Sequence, residues 1–340
     1  MLFDNLDQIG ISVVICCHNS AERIIPTLEH LSRQQNIAFP WEILLIDNNS
    51  SDNTKQVALD FWGKTDSNIP LVVIPEPRPG TMYARKIGIK SASFRYLLYC
   101  DDDNWLNEHY LTTAFKTITP SEDIAAVGGK GILVFDSNQS IPGWVETFQN
   151  NLGAGPQGKE DGDTTHVKGC LYTAGAILDR KWLDKLYRYG FTSSLKGRDG
   201  KSLVAGEDTE LTYALKLIGG KLYYSSEMQF RHYMPPQRIT WNYLMKLNET
   251  FGYSDLLISP YNFFWQRKRI PSFIEVLITT IKNSIIITIR AISTGFTEGN
   301  SETLRFYRIK GTFKALLSKG TIYINNKRQV LQLVKKSSAK

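Results

Sequence analysis

The stretch Leu97-Leu98-Tyr99-Cys100-Asp101-Asp102-Asp103-Asn104 constrains this chain more than any other. A short apolar run of this kind reads as a buried strand. It ends in three consecutive carboxylates, which repel one another and cannot be buried without a partner. If they sit at the carboxyl end of a strand, where open α/β sheets bind their ligands, the natural partner is a divalent cation. Hard ions such as Mg2+ and Mn2+ take carboxylate oxygen and usually share their shell with substrate phosphates. A solvated acidic loop is the plain alternative, and the rest of the chain favours the cation.

Upstream, Ile11–Cys17 is an apolar, β-branched run that reads as a strand buried on both faces. His18, Asn19 and Ser20 follow with capping chemistry for a helix that runs to about Gln35. Trp41–Asp47 is a second buried strand ending in a carboxylate, Asn48–Asp52 is turn and cap chemistry, and a helix to about Trp62 follows. Leu71–Ile74 is a third strand, Pro75 to Gly80 a stiff loop, and Met82–Ala92 a helix that leads to the Leu97 strand. Alternating strands and helices predict an α/β domain with a mostly parallel sheet. Each strand ends in polar residues at one edge: His18 and Asn19, Asp47, Arg78, then Asp101–Asp103. Neither GxGxxG nor GxxxxGK[ST] follows a strand, which argues against dinucleotide-binding dehydrogenases and P-loop enzymes.

Further along, Glu108–Thr117 reads as a helix, 125–129 and 132–135 as strand, and 136–168 as a long loop of the kind that is often functional. Leu171–Leu178 reads as a strand in which Gly175 permits a close approach. Arg180–Tyr189 is helical and Thr192–Leu203 a basic loop. Gly206-Glu207-Asp208 opens a helix to Ile218, Lys221–Phe230 is a strand closed by Arg231-His232-Tyr233, and Trp241–Tyr253 is helical.

In that order, Val13–Asn19, Ile43–Asp52, Arg78-Pro79-Gly80 with Ala84-Arg85, Asp101–Asp103, Gly206-Glu207-Asp208 and His232 resemble the inverting nucleotide-sugar glycosyltransferases of family 2. The resemblance covers roughly residues 10–250 and implies the GT-A fold, with a mostly parallel central sheet flanked by helices. It implies that Asp47 accepts hydrogen bonds from the base and that Arg78 contacts base or phosphate. Asp103 would bind Mn2+ or Mg2+ directly, Asp101 would contact the ribose or a metal-bound water, and Asp102 could exchange roles with either. Glu207 would contact the nucleotide sugar, Asp208 would be the general base, and His232 would complete the metal shell. Each has a structural alternative: a helix cap for Asp47, Asp52 and the Glu207-Asp208 pair, a surface arginine, a core histidine. Trp144, Trp241 and Tyr172 read as core before sugar-stacking groups. Processive members of the family carry QxxRW, whereas this chain reads Gln237-Arg238-Ile239-Thr240-Trp241, so transfer of a single sugar is expected.

Residues 260–340 hold 15 Lys and Arg against three acids, a net +12, so the first 259 residues carry −5 of the chain's +7. We therefore expect a catalytic domain over 1–259 and a basic helical tail over 260–340. Phe273–Ile292 sets Ile274, Leu277, Ile278, Ile281, Ile285, Ile289 and Ile292 on one helical face, and Leu304–Leu317 is a second amphipathic segment. The first reads as an interfacial helix and not a membrane span, since Lys282 and Asn283 would lie at its centre. Residues 335–340 are expected to fray. The first ten residues carry no Lys or Arg, so no secretory signal is read there, and Cys16, Cys17, Cys100 and Cys170 lack CxxC spacing.

The expected protein is a metal-dependent inverting transferase. It would move one sugar from a nucleotide-diphosphate donor, a UDP-sugar first, to a saccharide or lipid-linked acceptor. It would act in the cytoplasm, peripheral on the inner face of the cell membrane and in contact with anionic lipid, with no nucleic acid as partner. The competing readings are a sugar-nucleotidyltransferase, whose Gly-rich basic loop after the first strand is missing, and a non-enzymatic basic membrane- or nucleic-acid-binding protein.

Overall fold

Among the residues that the computed structural model describes (3–167, 169–195, 197 and 205–339), nine strands form one sheet. The chain runs β1 (Ile11–Cys17), α1 (Ile24–Ser32), β2 (Trp41–Asp47), α2 (Thr54–Trp62), β3 (Leu71–Pro75), α3 (Thr81–Ser91), β4 (Tyr96–Asp101), β5 (Asn104–Leu106) and α4 (Tyr110–Ile118). It continues through β6 (Ile124–Val134), α5 (Trp144–Thr147), β7 (Gly162–Asp163), β8 (Ile177–Asp179), α6 (Arg180–Arg188), α7 (Glu207–Leu217) and β9 (Lys221–Tyr233). Three helices close it: α8 (Trp241–Arg267), α9 (Phe273–Thr294) and α10 (Ser301–Ser338).

The sheet order is β3-β2-β1-β4-β8-β6-β9-β5, with β7 also on β9. The first four strands are parallel, as the alternation predicts. Past β4 the sheet turns mixed, because β8 is antiparallel to both its neighbours. Register then fixes the site. Cys17 pairs with Asp47, Asp47 with Pro75, and Cys16 with Asp101, so these strand ends share one edge. Side chains alternate between faces along each buried strand. Val13, Ile15, Ile43, Leu45 and Leu98 pack with α1, α2 and α4. Val14, Leu44, Ile46, Leu97 and Tyr99 pack with α3, α6, α7, α8 and α10.

Several boundaries differ from the sequence expectation. The two strand pieces at 125–135 are one strand, β6, kept continuous across irregularities in its pairing with β9. The strand expected over Leu171–Leu178 is confined to Ile177–Asp179. Gly175 serves a close approach, but to the Tyr110 hydroxyl, which donates to the Gly175 carbonyl at 2.6 Å. Residues 335 and 336, expected to fray, are helical. Part of the loop read over Thr192–Leu203 (196 and 198–203) lies outside the described residues.

The tail is part of the body. Helix α8 runs on to Arg267, so the expected division at 259/260 falls inside it. Leu256, Leu257 and Tyr261 of α8 bury together with Ala315, Leu316, Tyr323, Val330 and Leu333 of α10. The two helices cross at Gly252 and Gly311. A Cβ at either would sit inside the van der Waals shell of a backbone carbonyl on the other helix, Arg308 and Glu249 respectively. Only glycine permits this approach. Gly252→Ala should therefore cost about 1–3 kcal/mol by overpacking. At Gly143 an added Cβ would meet nothing within 4 Å, so Gly143→Ala should change stability by no more than about 0.5 kcal/mol. Urea midpoints of the two variants test the contrast.

Candidate functional site

A cavity of about 1000 Å³ opens at the carboxyl edge of β1 and β4. Its floor is the strand ends, Cys16 to His18 and Asp101–Asp103. One wall is the start of α7, Gly206 to Thr209, and another the segment from Asn150 to Lys159. Residues of α8 (Tyr243, Leu247, Phe251, Ser254, Asp255, Ile258) and Arg308 of α10 complete it. Residues 150–159, within the stretch read as a long loop, contribute wall, and the same stretch carries the short elements α5 and β7 that its composition did not predict.

The carboxylate run is divided by its partners. Asp102 is buried and faces the β1–α1 turn, where its Oδ2 accepts from Ser20 Oγ and lies 2.8 Å from Arg23. Burial and then the neighbouring Asp103 push its pKa up, against Arg23 and Ser20. Asp103 faces β9: its Oδ1 is 3.7 Å from His232 Nε2 and its Oδ2 is 3.2 Å from Arg238. The pairing of β5 with β9 sets this proximity, since Asn104 lies opposite His232 and the Tyr233 amide donates to the Asp103 carbonyl at 2.9 Å. Asp101 ends β4 and also lines the cavity.

The acids of α7 approach from the opposite side. Glu207 is buried and accepts from Arg85 Nη1 at 3.2 Å. Burial works against the charge on Arg85. Glu207, then Asp101 and Asp208, overcome that penalty and hold the guanidinium protonated. Asp208 Oδ1 accepts from the Thr209 amide at 2.7 Å, and its Oδ2 from the Thr173 amide at 3.3 Å. Both acids stand in the first turn of α7, beside amides that have no partner within the helix.

Two sequence candidates lie off the cavity lining. Asp47 Oδ1 accepts from the Ser50 amide at 3.2 Å, so its carboxylate closes the turn after β2. Arg78 is held by Glu76 through two bonds, at 2.8 and 2.7 Å, and stacks over Tyr83. That fork holds the Glu76 carboxyl down at about 2. Asn48, read from the sequence as turn and cap chemistry within the Ile43–Asp52 piece, does line the cavity. It accepts from the Gly80 amide at 2.9 Å and donates to the Glu76 and Arg78 carbonyls at 3.1 and 2.6 Å, and His18 Nδ1 meets its carbonyl at 2.9 Å. Asn48 thereby ties the ends of β1, β2 and β3. Trp144 and Trp241 pack edge to face in a side cluster, while Tyr172 reaches the cavity. Sequence reasoning also missed Arg23, Arg238 and Arg308 as a set. Each is an ordinary surface residue by sequence, and only long-range folding brings it to a carboxylate.

Asp103 and His232 could hold a cation. Their 3.7 Å separation is within the span of two ligands each about 2.1 Å from one ion. His232 Nδ1 is buried without a hydrogen-bond partner among the described residues, so its ring is not committed elsewhere through that nitrogen. Those residues contain no cluster of three or more metal-ligating side chains. Two protein donors suit an ion that takes the rest of its shell from substrate phosphate and water. Arg238 occupies the second oxygen of Asp103 and would have to yield to an ion binding through both.

Comparison with known proteins agrees with this architecture. The model of Glycosyl transferase family 2 matches residues 12–186. Glycosyltransferase AglE of Haloferax volcanii is 28% identical over 140 residues, 41% of this chain and 45% of that protein. Poly-beta-1,6-N-acetyl-D-glucosamine synthase of Staphylococcus epidermidis is 28% identical over 141 residues, 41% of this chain and 32% of that protein. The matched stretch thus spans less than half the length of these curated relatives. The crystal structure of S. aureus TarS 1-349 in complex with UDP-GlcNAc superposes with a TM-score of 0.52 at 15% identity, covering 90% of this chain and 92% of that one. A family match over half of the chain, together with the shared architecture, assigns it: the chain belongs to Glycosyl transferase family 2 and has the GT-A fold.

Proposed function

We propose that this protein transfers a single sugar, with inversion, from a UDP-sugar to a saccharide or lipid-linked acceptor in the assembly of a surface polysaccharide or glycan. The observation that carries the reading is the facing of two acid groups across one cavity: Asp101–Asp103 on the strand-end floor and Glu207-Asp208 at the start of α7. The donor class is supported by the family match and by the fold shared with a structure described as a UDP-GlcNAc complex. The synthase relative supports polymer assembly.

The roles follow from chemistry. Asp208 takes the proton of the acceptor hydroxyl as that oxygen attacks the anomeric carbon. The bond from that carbon to the donor diphosphate breaks, and its electron pair leaves with UDP. One displacement inverts the anomeric centre and needs no enzyme nucleophile. Arg85 and Glu207 hold the α7 turn in place beneath the sugar. Asp101 contacts the ribose, and Asn48 with the Asp47 turn frames the base. Asp103 and His232 would hold a divalent cation, Mn2+ or Mg2+, which when bound neutralises diphosphate charge. Arg238, 3.2 Å from Asp103, is placed to meet phosphate oxygen. The four unbridged thiols suit a reducing compartment, so we assign the cytoplasmic side, peripheral at the inner membrane face.

Thermal unfolding with UDP, GDP, dTDP and CMP, each with and without Mn2+, tests donor and metal together. UDP at about 100 times its dissociation constant should stabilise the wild type by roughly 2.7 kcal/mol. The Mn2+-dependent part should vanish in Asp103→Ala. No shift with any nucleotide, in protein that unfolds cooperatively, would end the transferase reading. With a working acceptor, the product anomer read by NMR should be opposite to that of the donor.

A further inference from the structure

Helix α9 buries little of itself. Val276, Thr280 and Ala291 face the body, whereas Ile274, Ile278, Ile281, Ile285, Ile289 and Ile292 are each between 43 and 67% exposed. Their spacing of three and four residues aligns them as a single stripe. It runs about 27 Å at 1.5 Å per residue, and Phe296, two residues past the helix, is also exposed. An apolar stripe of this length on an otherwise folded protein marks an interaction surface.

Charge selects the partner. Between residues 267 and 294 stand Arg267, Lys268, Arg269, Lys282 and Arg290 against the single acid Glu275, a net +4. Glu275 is itself engaged, closing a capping box with Ser272 and pairing with Arg269. A second copy of the chain seated on the stripe would bring two such faces together, and like charges at an interface oppose docking. An anionic lipid surface meets both features: acyl chains take the isoleucines and headgroups take the basic residues. The helix is long and apolar enough to cross a bilayer by length and composition. It lies on the surface instead, because one face is packed on the body and Lys282 and Asn283 sit at its middle.

The stripe also leads to the cavity. Phe296 meets Phe306 with ring centres 5.1 Å apart. Glu298 accepts from Trp144 Nε1 at 2.5 Å, and Trp144 packs on Trp241 at 5.5 Å. Immediately beyond these two tryptophans in sequence come Asn150–Gly153 and Tyr243–Leu247, whose members line the cavity. We propose that the isoleucine face of α9 docks on an anionic membrane surface, and that the docked enzyme takes an acceptor carried by a lipid in that surface. The acceptor half rests on the transferase reading; the docking half stands without it.

Flotation of the full-length protein with extruded vesicles tests docking. We expect it to rise with phosphatidylcholine:phosphatidylglycerol (3:1) vesicles and to stay below with phosphatidylcholine alone. Ile281→Asp with Ile285→Asp should abolish flotation. Lys282→Glu with Arg290→Glu should weaken it about tenfold or more, as each basic residue near an anionic surface contributes roughly a factor of five. The UDP-dependent thermal shift, kept in both variants, shows that fold and site are intact. If the Asp pair loses that shift, Ile285→Ser with Ile289→Ser replaces it. Wild type that fails to float with either vesicle, or floats equally with both, overturns the proposal. So does a dimer by light scattering that the isoleucine variants convert to monomer without any flotation of the wild type. Loss of the UDP shift in wild type that still floats would overturn the transferase reading and leave docking standing.

Discussion

Six carboxylates around one cavity are the constraint on which the rest of this structure depends. Asp101, Asp102, Asp103, Glu207, Asp208 and Asp255 all line it. Two like charges 4 Å apart repel by about 4 kcal/mol at an effective dielectric of 20, so the cluster would not persist unaided. Four arginines offset it: Arg23 on Asp102, Arg85 on Glu207, Arg238 on Asp103 and Arg308 on Asp255. They come from four separated parts of the chain: the turn before α1, α3, the turn before α8, and α10. Bringing countercharge to the carboxylates therefore means closing the whole domain around them. The pairs are not equivalent. Arg85 and Glu207 are buried, whereas Arg238 and Arg308 are partly exposed.

How much of this was legible in the sequence follows from how local each signal is. β1, β2 and β4 were readable because strands buried on both faces are continuous apolar runs. Asp101–Asp103 and Glu207-Asp208 were readable as residues of one edge because each run ends or begins an element, and both groups line the cavity. What failed was whatever depended on partners far along the chain. Leu171 to Gly175 has strand composition but is in no strand pairing among the described residues; the Leu171 and Tyr172 amides bond Thr212 Oγ1 and Gln157 instead. Arg78 has the fork for phosphate, yet two residues away Glu76 takes it. Arg23 carries no sequence mark, because its partner lies 79 positions away, and Asn48 reads only as a turn residue, because its partners lie about 30 positions away.

The C-terminal helices alter the picture of a body with an appended tail. Through the Gly252–Gly311 crossing, α10 comes close enough to set Arg308 above the cavity, and the intervening α9 is left with its isoleucines outward. One arrangement thus completes the cavity wall and exposes an apolar face to solvent. The basic excess of residues 260–340 fits this geometry. Some of it neutralises acids of the body, as Arg308 and Lys310 do with Asp255 and Glu249.

The claim that the rest of the account leans on is that Asp208 removes the acceptor proton while the other carboxylates bind and position. It is tested most directly by the kcat of Asp208→Asn, read as UDP release with a UDP-sugar donor and a lipid-linked saccharide acceptor, beside its UDP-dependent thermal shift. Loss of a general base costs about 10²–10⁴ in rate, so we expect kcat to fall by that factor with the thermal shift unchanged. A variant that keeps turnover within a few-fold of wild type would contradict the assignment and move the base to another carboxylate of the cavity.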